Sequence, residues 1–359
     1  MNIVLVGGGH AHLKCLTHIK KDTNLSNHTI MLISPDRYQY YSGMFSGFTE
    51  GIYSLDEIRI DLKKLSEEAG VVFVEEKVTG VSSASKTLTT ANGDNISFDI
   101  VSFDIGSFMD APKDFEKWLV PLKPNHLFPE TIEAYRKQDY PVVIGGGASG
   151  AEIALAISAW RKKNGYPMNV LLITSSKLLP SSSKKAGAVL KRIALQKGVR
   201  VIEDDRLEEL NDTHGKTEKG ESFPHSNVLW LTGPKSSPIF RSSALPHDGD
   251  GFLLVKDSLQ VPGFPFMFGA GDCISLKEYP HLPKNGVYAV KQGDVLIKNI
   301  FRVVQEEDCH SFIPQQNYLS LISSGNNEAL LQYGNFSTHG KFYWKIKNMI
   351  DKRFIKRHK

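Results

Sequence analysis

Pro141-Val-Val-Ile-Gly-Gly-Gly-Ala-Ser-Gly-Ala-Glu152 is the stretch whose reading decides the fold. Four strand-forming residues run into Gly145, Gly147 and Gly150 at full G-x-G-x-x-G spacing, and the apolar run from Ile153 to Trp160 reads as the helix behind them. The three glycines serve different ends. Gly145 makes the tight turn, Gly147 lets backbone approach a pyrophosphate, and Gly150 lets helix and strand pack closely. The helix N-terminus then points its free N–H groups and positive dipole end at the phosphates. The stretch is therefore read as a dinucleotide-binding turn.

A second turn of this kind lies nearly a domain length upstream. Asn2 to Val6 forms an apolar strand running into Gly7-Gly8-Gly9-His10-Ala11-His12, and a helix follows from Leu13 to Lys20. Gly7 and Gly9 are in place, but His12 occupies the third glycine, so helix and strand must pack there more loosely or in another way. His10 and His12 have no third ligand nearby and are read as helix-start side chains beside phosphate, not as a metal pair. Thr29 to Ser34 is the next strand, ending in a hydroxyl where a carboxylate would normally bind the ribose. Pro35 to Phe48 then forms an aromatic, glycine-rich loop, read either as core filling or as a wall for a planar ligand. The spacing predicts a helix over 60–69, a strand over 71–75, and strands around the turn Asn92-Gly93-Asp94.

Downstream of the first-quoted stretch, Asn169 to Thr174 is a second strand without a carboxylate at its end, followed by Ser175, Ser176 and Lys177. Lys177 is a candidate for meeting a 2′-phosphate. Val228 to Gly233 returns the chain to the first unit, and Phe264 to Asp272 delivers a carboxylate after two glycines, with a helix from Gly286 to Phe301 beyond. Pro112, Pro121, Pro124 and Pro129 punctuate the crossover. The order is that of one dinucleotide unit interrupted by a second. The expected fold is α/β, with two nested Rossmann-like dinucleotide-binding domains and a C-terminal amphipathic helical tail. The first domain is discontinuous (1–111 and 234–312), the second spans 112–233, and the C-terminal region covers 313–359.

Composition bounds the partners. The 359 residues carry a formal net charge of +4, yet residues 341–359 hold eight Lys or Arg against Asp351 alone. The first 340 residues therefore have more acids than bases, which argues against nucleic acid as a partner of the body. No apolar run approaches the ~20 residues of a spanning helix, and the start has no basic leader, so the expected location is cytoplasmic. Cys15, Cys273 and Cys309 form no C-x-x-C and no disulfide framework. In the tail, Phe342, Ile346, Met349 or Ile350, and Phe354 recur at helical spacing among lysines. Such a helix either lies on an anionic membrane at the inner face of the cell membrane, or docks on the body or a second subunit.

These residues together resemble the two-dinucleotide-binding-domain flavoproteins of the pyridine nucleotide-disulfide oxidoreductase superfamily. Within it the chain is similar to type II NADH dehydrogenases, sulfide:quinone oxidoreductases, and dehydrogenase-like proteins associated with selenide, water dikinase. The resemblance to the last group runs through Gly7–His12, Tyr40–Met44, Ser102–Ser107, Gly269–Asp272, Pro283–Gly293 and Trp344–Phe354. It implies FAD on the first turn and NADH or NADPH on the second. The implied FAD contacts are Gly7, Gly8, Gly9, His10, Ala11, His12, Ser34, Pro35, Arg37, Ser42, Gly43, Met44, Asp104, Gly106, Gly271, Asp272, Lys284, Gly286 and Val287. Those for NAD(P)H are Gly145, Gly147, Ala148, Ser149, Gly150, Glu152, Thr174, Thr232 and Gly233.

Glu152 falls where type II dehydrogenases keep a glutamate near the nicotinamide. Lys284 and Lys291 are candidates for stabilising charge on reduced flavin, the alternative being a solvated helix face. The resemblance departs in two places. No cysteine pair is available beside the flavin, and Val287 and Lys291 stand where type II dehydrogenases carry two glutamines at the quinone edge. The implied function is an FAD-dependent NAD(P)H dehydrogenase passing hydride to FAD and then electrons to a quinone or similar acceptor. A soluble flavin reductase of sulfur or selenium metabolism and a non-catalytic redox-sensing flavoprotein stay open, as does a homodimer.

Overall fold

A computed structural model describes residues 1–21, 28–109, 111–120, 122 and 125–359. Pro121 and Pro124, read above as crossover punctuation, lie outside them. Five parallel strands form the first sheet, in the order Phe264–Gly269, Ile100–Phe103, Asn2–Val6, Thr29–Ser34 and Val72–Glu75, with Gln260–Val261 added antiparallel at one edge. The central strand pairs Val6 with Ile33 on one side and Phe103 on the other. Ile3, Val4, Leu5 and Val6 are all buried, as a parallel strand covered on both faces requires. The second sheet is all parallel: Leu119–Val120, Asn227–Trp230, Pro141–Ile144, Val170–Ile173 and Val199–Ile202. The two segments that cross between the sheets meet each other, Phe108–Met109 pairing antiparallel with Pro234–Lys235.

The helix predicted from Ile60 begins later. Arg59–Asp61 is drawn into an antiparallel pair with Tyr38–Tyr40, and Asp61 then caps the helix Leu62–Glu68 by accepting from Lys64 N at 3.0 Å. Beyond residue 313 the chain forms a sheet that hydrophobic periodicity did not announce, made of Ser320–Gly325, Glu328–Tyr333 and Phe336–Gly340. Its first hairpin turns through Asn326 and Asn327, both at positive φ, 58° and 56°, the backbone a two-residue hairpin asks for.

That hairpin is wedged between the two units. Asn326 N donates to Glu50 Oε1 at 2.8 Å, on the helix Phe45–Glu50 of the first unit. Lys197, just past the helix Lys184–Gln196 of the second, donates to Ser324 O at 3.0 Å and Gly325 O at 2.8 Å, and pairs with Glu328 at 2.6 Å. A Cβ at Gly325 would lie 2.9 Å from Leu155 O in the helix Ala148–Lys163, so the approach there needs glycine. Arg136 adds a further tie, donating to Phe48 O and Thr49 O while its guanidinium lies 4.5 Å over the Trp160 ring.

The tail forms one helix, Lys341–His358, and docks on the body. Its buried residues are Lys347, Asp351, Ile355 and His358, whereas Phe342 and Met349 are 66% and 63% exposed. The apolar stripe expected from spacing is thus divided: Phe354 turns toward the body, and Phe342, Met349 and Ile350 turn away. No described helix is long and apolar enough to cross a membrane.

Candidate functional site

Parallel strands leave their carboxyl ends open to a crevice, and here the crevices of both sheets merge into one cleft of about 1430 Å³. That exceeds the ~300–1,000 Å³ that suits one small ligand, and it suits two nucleotide-bearing molecules.

The first turn lies on one wall. Gly7 has φ +93° and its N–H donates to Ile33 O at 2.7 Å, while a Cβ there would fall 2.4 Å from Asp104 O. Only glycine fits. The helix His10–Ile19 starts with donors already engaged, since Asp104 Oδ2 accepts from Ala11 N at 2.8 Å and His12 N at 3.1 Å. Burial pushes the Asp104 carboxyl up to about 7, against the pull of those two amides.

His12 explains the missing third glycine. Its ring is fully buried, with Nδ1 2.6 Å from Gly7 O and Nε2 2.9 Å from Ser102 Oγ. A carbonyl only accepts, so Nδ1 carries the proton and Nε2 accepts from the serine hydroxyl. Burial lowers the imidazole to about 4, keeping it neutral. The turn is closed by a side chain where the usual motif closes it by proximity. Close packing moves instead to the helix Gly286–Val304, where a Cβ on Gly293 would meet Ala11 O at 2.8 Å.

The second turn has the expected construction. Gly145 sits at φ +129° with its N–H on Ile173 O at 2.9 Å, and a Cβ at Gly150 would lie 2.0 Å from Gly145 O. Gly147, the N-cap, has open space on its Cβ side, as a close phosphate approach requires. Gly145, Gly147, Ala148, Ser149, Glu152, Thr174, Thr232 and Gly233 all line the cleft, and Gly150 stands behind them as packing.

On the flavin side, Gly7, Gly8, Gly9, His10, Ser34, Pro35, Ser42, Gly43, Asp104, Gly106, Asp272, Lys284 and Gly286 line the cleft. Ala11 and His12 do not, their backbone N–H groups being turned to Asp104. Arg37 turns to Asp61, Met44 is core, and Gly271 N donates to Gln292 Oε1 at 2.7 Å. Val287 N is taken by the Asn285 side chain, which caps the helix Gly286–Val304 through Val287 N at 3.1 Å and Tyr288 N at 3.2 Å. Asn285 itself lines the cleft, and the Asn-Gly pair opening a predicted helix was the available signal for it.

The two candidate lysines part company. Lys284 reaches Ile274 O and lies 3.6 Å over the Phe252 ring, and burial lowers its ammonium from the usual value. Lys291 is exposed, bonds to Gln315, and lies outside the cleft lining.

Glu152 lines the cleft on the second unit's side. Its Oε1 accepts from Ser323 N at 2.6 Å, and burial raises its carboxyl to about 7, with Lys347 pulling the other way. The tail helix therefore belongs to the site's frame. Lys347 Nζ donates to Gly43 O and, at 2.7 Å, to Asp351 Oδ2, whose other oxygen accepts from Tyr41 OH at 3.1 Å. Phe354 stacks on Tyr41 at 4.4 Å and lies 5.4 Å from the His10 ring. Of these contacts only the Lys347–Asp351 pair, four residues apart on one helix, follows from spacing; those to Gly43, Tyr41 and His10 join segments some 300 residues or more apart. All three cysteines are free, Cys15 and Cys273 being buried. No His, Cys, Asp and Glu cluster that would hold a metal occurs among the described residues.

Comparison with known proteins bears on this geometry. The family described as pyridine nucleotide-disulphide oxidoreductase matches residues 1–293. Ferroptosis suppressor protein 1 of Taeniopygia guttata is 25% identical over 285 residues, covering 74% of this chain and 73% of that protein. The type II NADH:quinone oxidoreductase of Staphylococcus saprophyticus is 21% identical, covering 86% of this chain and 84% of its own. Among solved structures, the sulfide:quinone oxidoreductase of Aquifex aeolicus superposes with a TM-score of 0.83 at 17% identity, over 99% of this chain and 91% of that one. The last likeness is one of fold.

Proposed function

The chain belongs to the pyridine nucleotide-disulphide oxidoreductase family, and on that premise we propose that it draws electrons from NAD(P)H into FAD and delivers them to a quinone. By family it is an FAD-dependent NAD(P)H oxidoreductase. When bound, FAD accepts two electrons from a nicotinamide and releases them to an acceptor. The protein's own share is orientation and electrostatics.

The observation that carries the reading is the meeting of two glycine cradles in one cleft. Gly7 to Gly9 would hold the flavin pyrophosphate, with Asp272 and Asn285 along its length. Gly145 to Ser149 would hold the pyrophosphate of the donor and bring its nicotinamide beside Glu152. We assign residues 1–111 with 234–312 to the flavin unit and 112–233 to the donor unit. Glu152, its carboxyl raised to about 7 by burial, would hold or release a proton there near neutrality. Cys15, Cys273 and Cys309 form no C-x-x-C pair, which speaks against a dithiol as the acceptor.

A quinone is favoured by the names of the relatives and by the aromatic wall of Phe45 and Phe128, stacked 3.9 Å apart at the cleft. The tail's outward face, Phe342, Met349 and Ile350 among Lys345, Arg353 and Lys356, fits a peripheral site on an anionic membrane, where such an acceptor is found. Purified protein should be yellow, bleach anaerobically with NADH or NADPH, and turn over with a short-chain quinone. Bleaching without quinone turnover would overturn the acceptor assignment and favour a sensor or a soluble reductase.

A further inference from the structure

We infer that the nucleotide end of the second cradle is built for a ribose 2′-phosphate, so that NADPH is the preferred donor and Arg206 is the residue that selects it. This rests on the reading that the second turn holds a nicotinamide dinucleotide.

The ribose of such a nucleotide lies past the end of the strand following the glycine turn, where NAD-binding chains place a carboxylate across both hydroxyls. Here that strand, Val170–Ile173, ends in Thr174, Ser175 and Ser176, all three lining the cleft. Neighbouring carboxylates are committed elsewhere. Glu203 accepts from Leu178 N at 2.8 Å and pairs with Lys191 at 2.8 Å. Asp205 is buried, and its Oδ1 accepts from Arg206 N at 2.9 Å and Lys219 N at 3.2 Å. No acid is left free to bind a ribose diol, and the charge of Asp205, which also lines the cleft, is met by two backbone amides.

The cation for that phosphate is not Lys177, the sequence candidate. Lys177 pairs with Asp204 and Glu203. Arg206 takes the place. Asp205 N donates to Thr174 O at 3.2 Å and Asp204 N to Ser176 O at 3.4 Å, which fixes the segment carrying Arg206 against the strand end. Arg206 is exposed, lines the cleft, and makes no ion pair among the described residues. A guanidinium stays charged at every working pH and meets a phosphate with two parallel N–H bonds, and the hydroxyls of Ser175 and Ser182 line the same end of the cleft.

The test needs no turnover. The FAD-loaded protein is titrated by calorimetry with 2′,5′-ADP and with 5′-AMP, which differ only in the 2′-phosphate. The 2′-phosphate should tighten binding about tenfold or more. Arg206→Ala should remove that difference, Arg206→Lys should keep part of it, and Ser175→Glu should reverse it. The ratio of kcat/KM for NADPH over NADH should move in the same order. Equal affinity for the two nucleotides, or a preference that survives Arg206→Ala, overturns the inference even if both dinucleotides bleach the flavin. Failure of both dinucleotides to bleach it removes the underlying reading as well.

Discussion

Replacing Lys347 with methionine tests how the tail is held. The ammonium lies 2.7 Å from Asp351 Oδ2 and also bonds Gly43 O, and the two side chains are only 11% and 6% exposed. Burial pulls the Lys347 ammonium down, but Asp351 and Glu152 more than offset it, so the lysine is charged at neutral pH. Methionine keeps the volume of the stem and deletes the charge. Asp351 then keeps its bond from Tyr41 and loses its counter-charge in a place water barely reaches. Breaking a buried pair from one side costs about 3–5 kcal/mol, with little discount for screening at this exposure. At roughly 2–4 °C per kcal/mol for a large domain, the melting temperature should fall by on the order of 10 °C.

Unfolding followed by circular dichroism, with flavin fluorescence as a second probe, reads the loss, and flavin release should move with it because Gly43 loses its donor. Lys347→Met/Asp351→Leu should recover much of the stability, since a matched apolar pair has no stranded charge. A single variant within about 1 kcal/mol of the parent, or a double variant no better than the single one, would refute the claim that this pair seats the helix.

Gly150→Ala puts a methyl 2.0 Å from Gly145 O. Overpacking of this sort costs about 1–3 kcal/mol, so NAD(P)H affinity should drop about tenfold or more while the protein stays yellow, read by anaerobic titration. Asp104, raised to about 7 by burial at the flavin phosphate turn, is neutral below that pH and charged above it. FAD affinity should therefore weaken as pH rises from about 6 to about 8, and Asp104→Asn should flatten the profile in fluorescence titrations. Phe342→Glu/Met349→Glu should abolish sedimentation with anionic vesicles while leaving turnover with a water-soluble acceptor intact; unchanged sedimentation would remove the membrane role.

What was legible in the sequence followed from backbone demands with few solutions. The positive φ at Gly7 and Gly145 and the forbidden Cβ at Gly150 can be met only by glycine, so spacing alone located both turns and the strands feeding them. His12 was legible as a departure but not as a solution, because its partner Ser102 is 90 residues away. The tail was legible as an amphipathic helix but not in how it is seated, because periodicity sorts apolar from polar side chains without saying what covers either face. Here a lysine and an aspartate satisfy each other inside, and Met349 and Phe342 are left outside. The sheet of residues 320–340 was missed because Ser320, Ser323 and Ser324 break the alternation, although Ser323 and Ser324 are buried. Lys291 lies two residues from Gly293 and therefore on the side of the helix away from the face that packs on Ala11, where it meets solvent and Gln315.

The hairpin at Asn326 and Asn327 has a consequence for turnover. It acts as a keystone: Glu50 of one unit accepts from Asn326 N at the turn, and Lys197 of the other bonds Gly325 O and Glu328 on the strands beside it. Units joined that way are braced against swinging like a jaw, since opening would break the bonds of Glu50 and Lys197 to one hairpin. With that brace intact, the gap that electrons must jump would be set by the folded chain, and the small molecules would come and go around it.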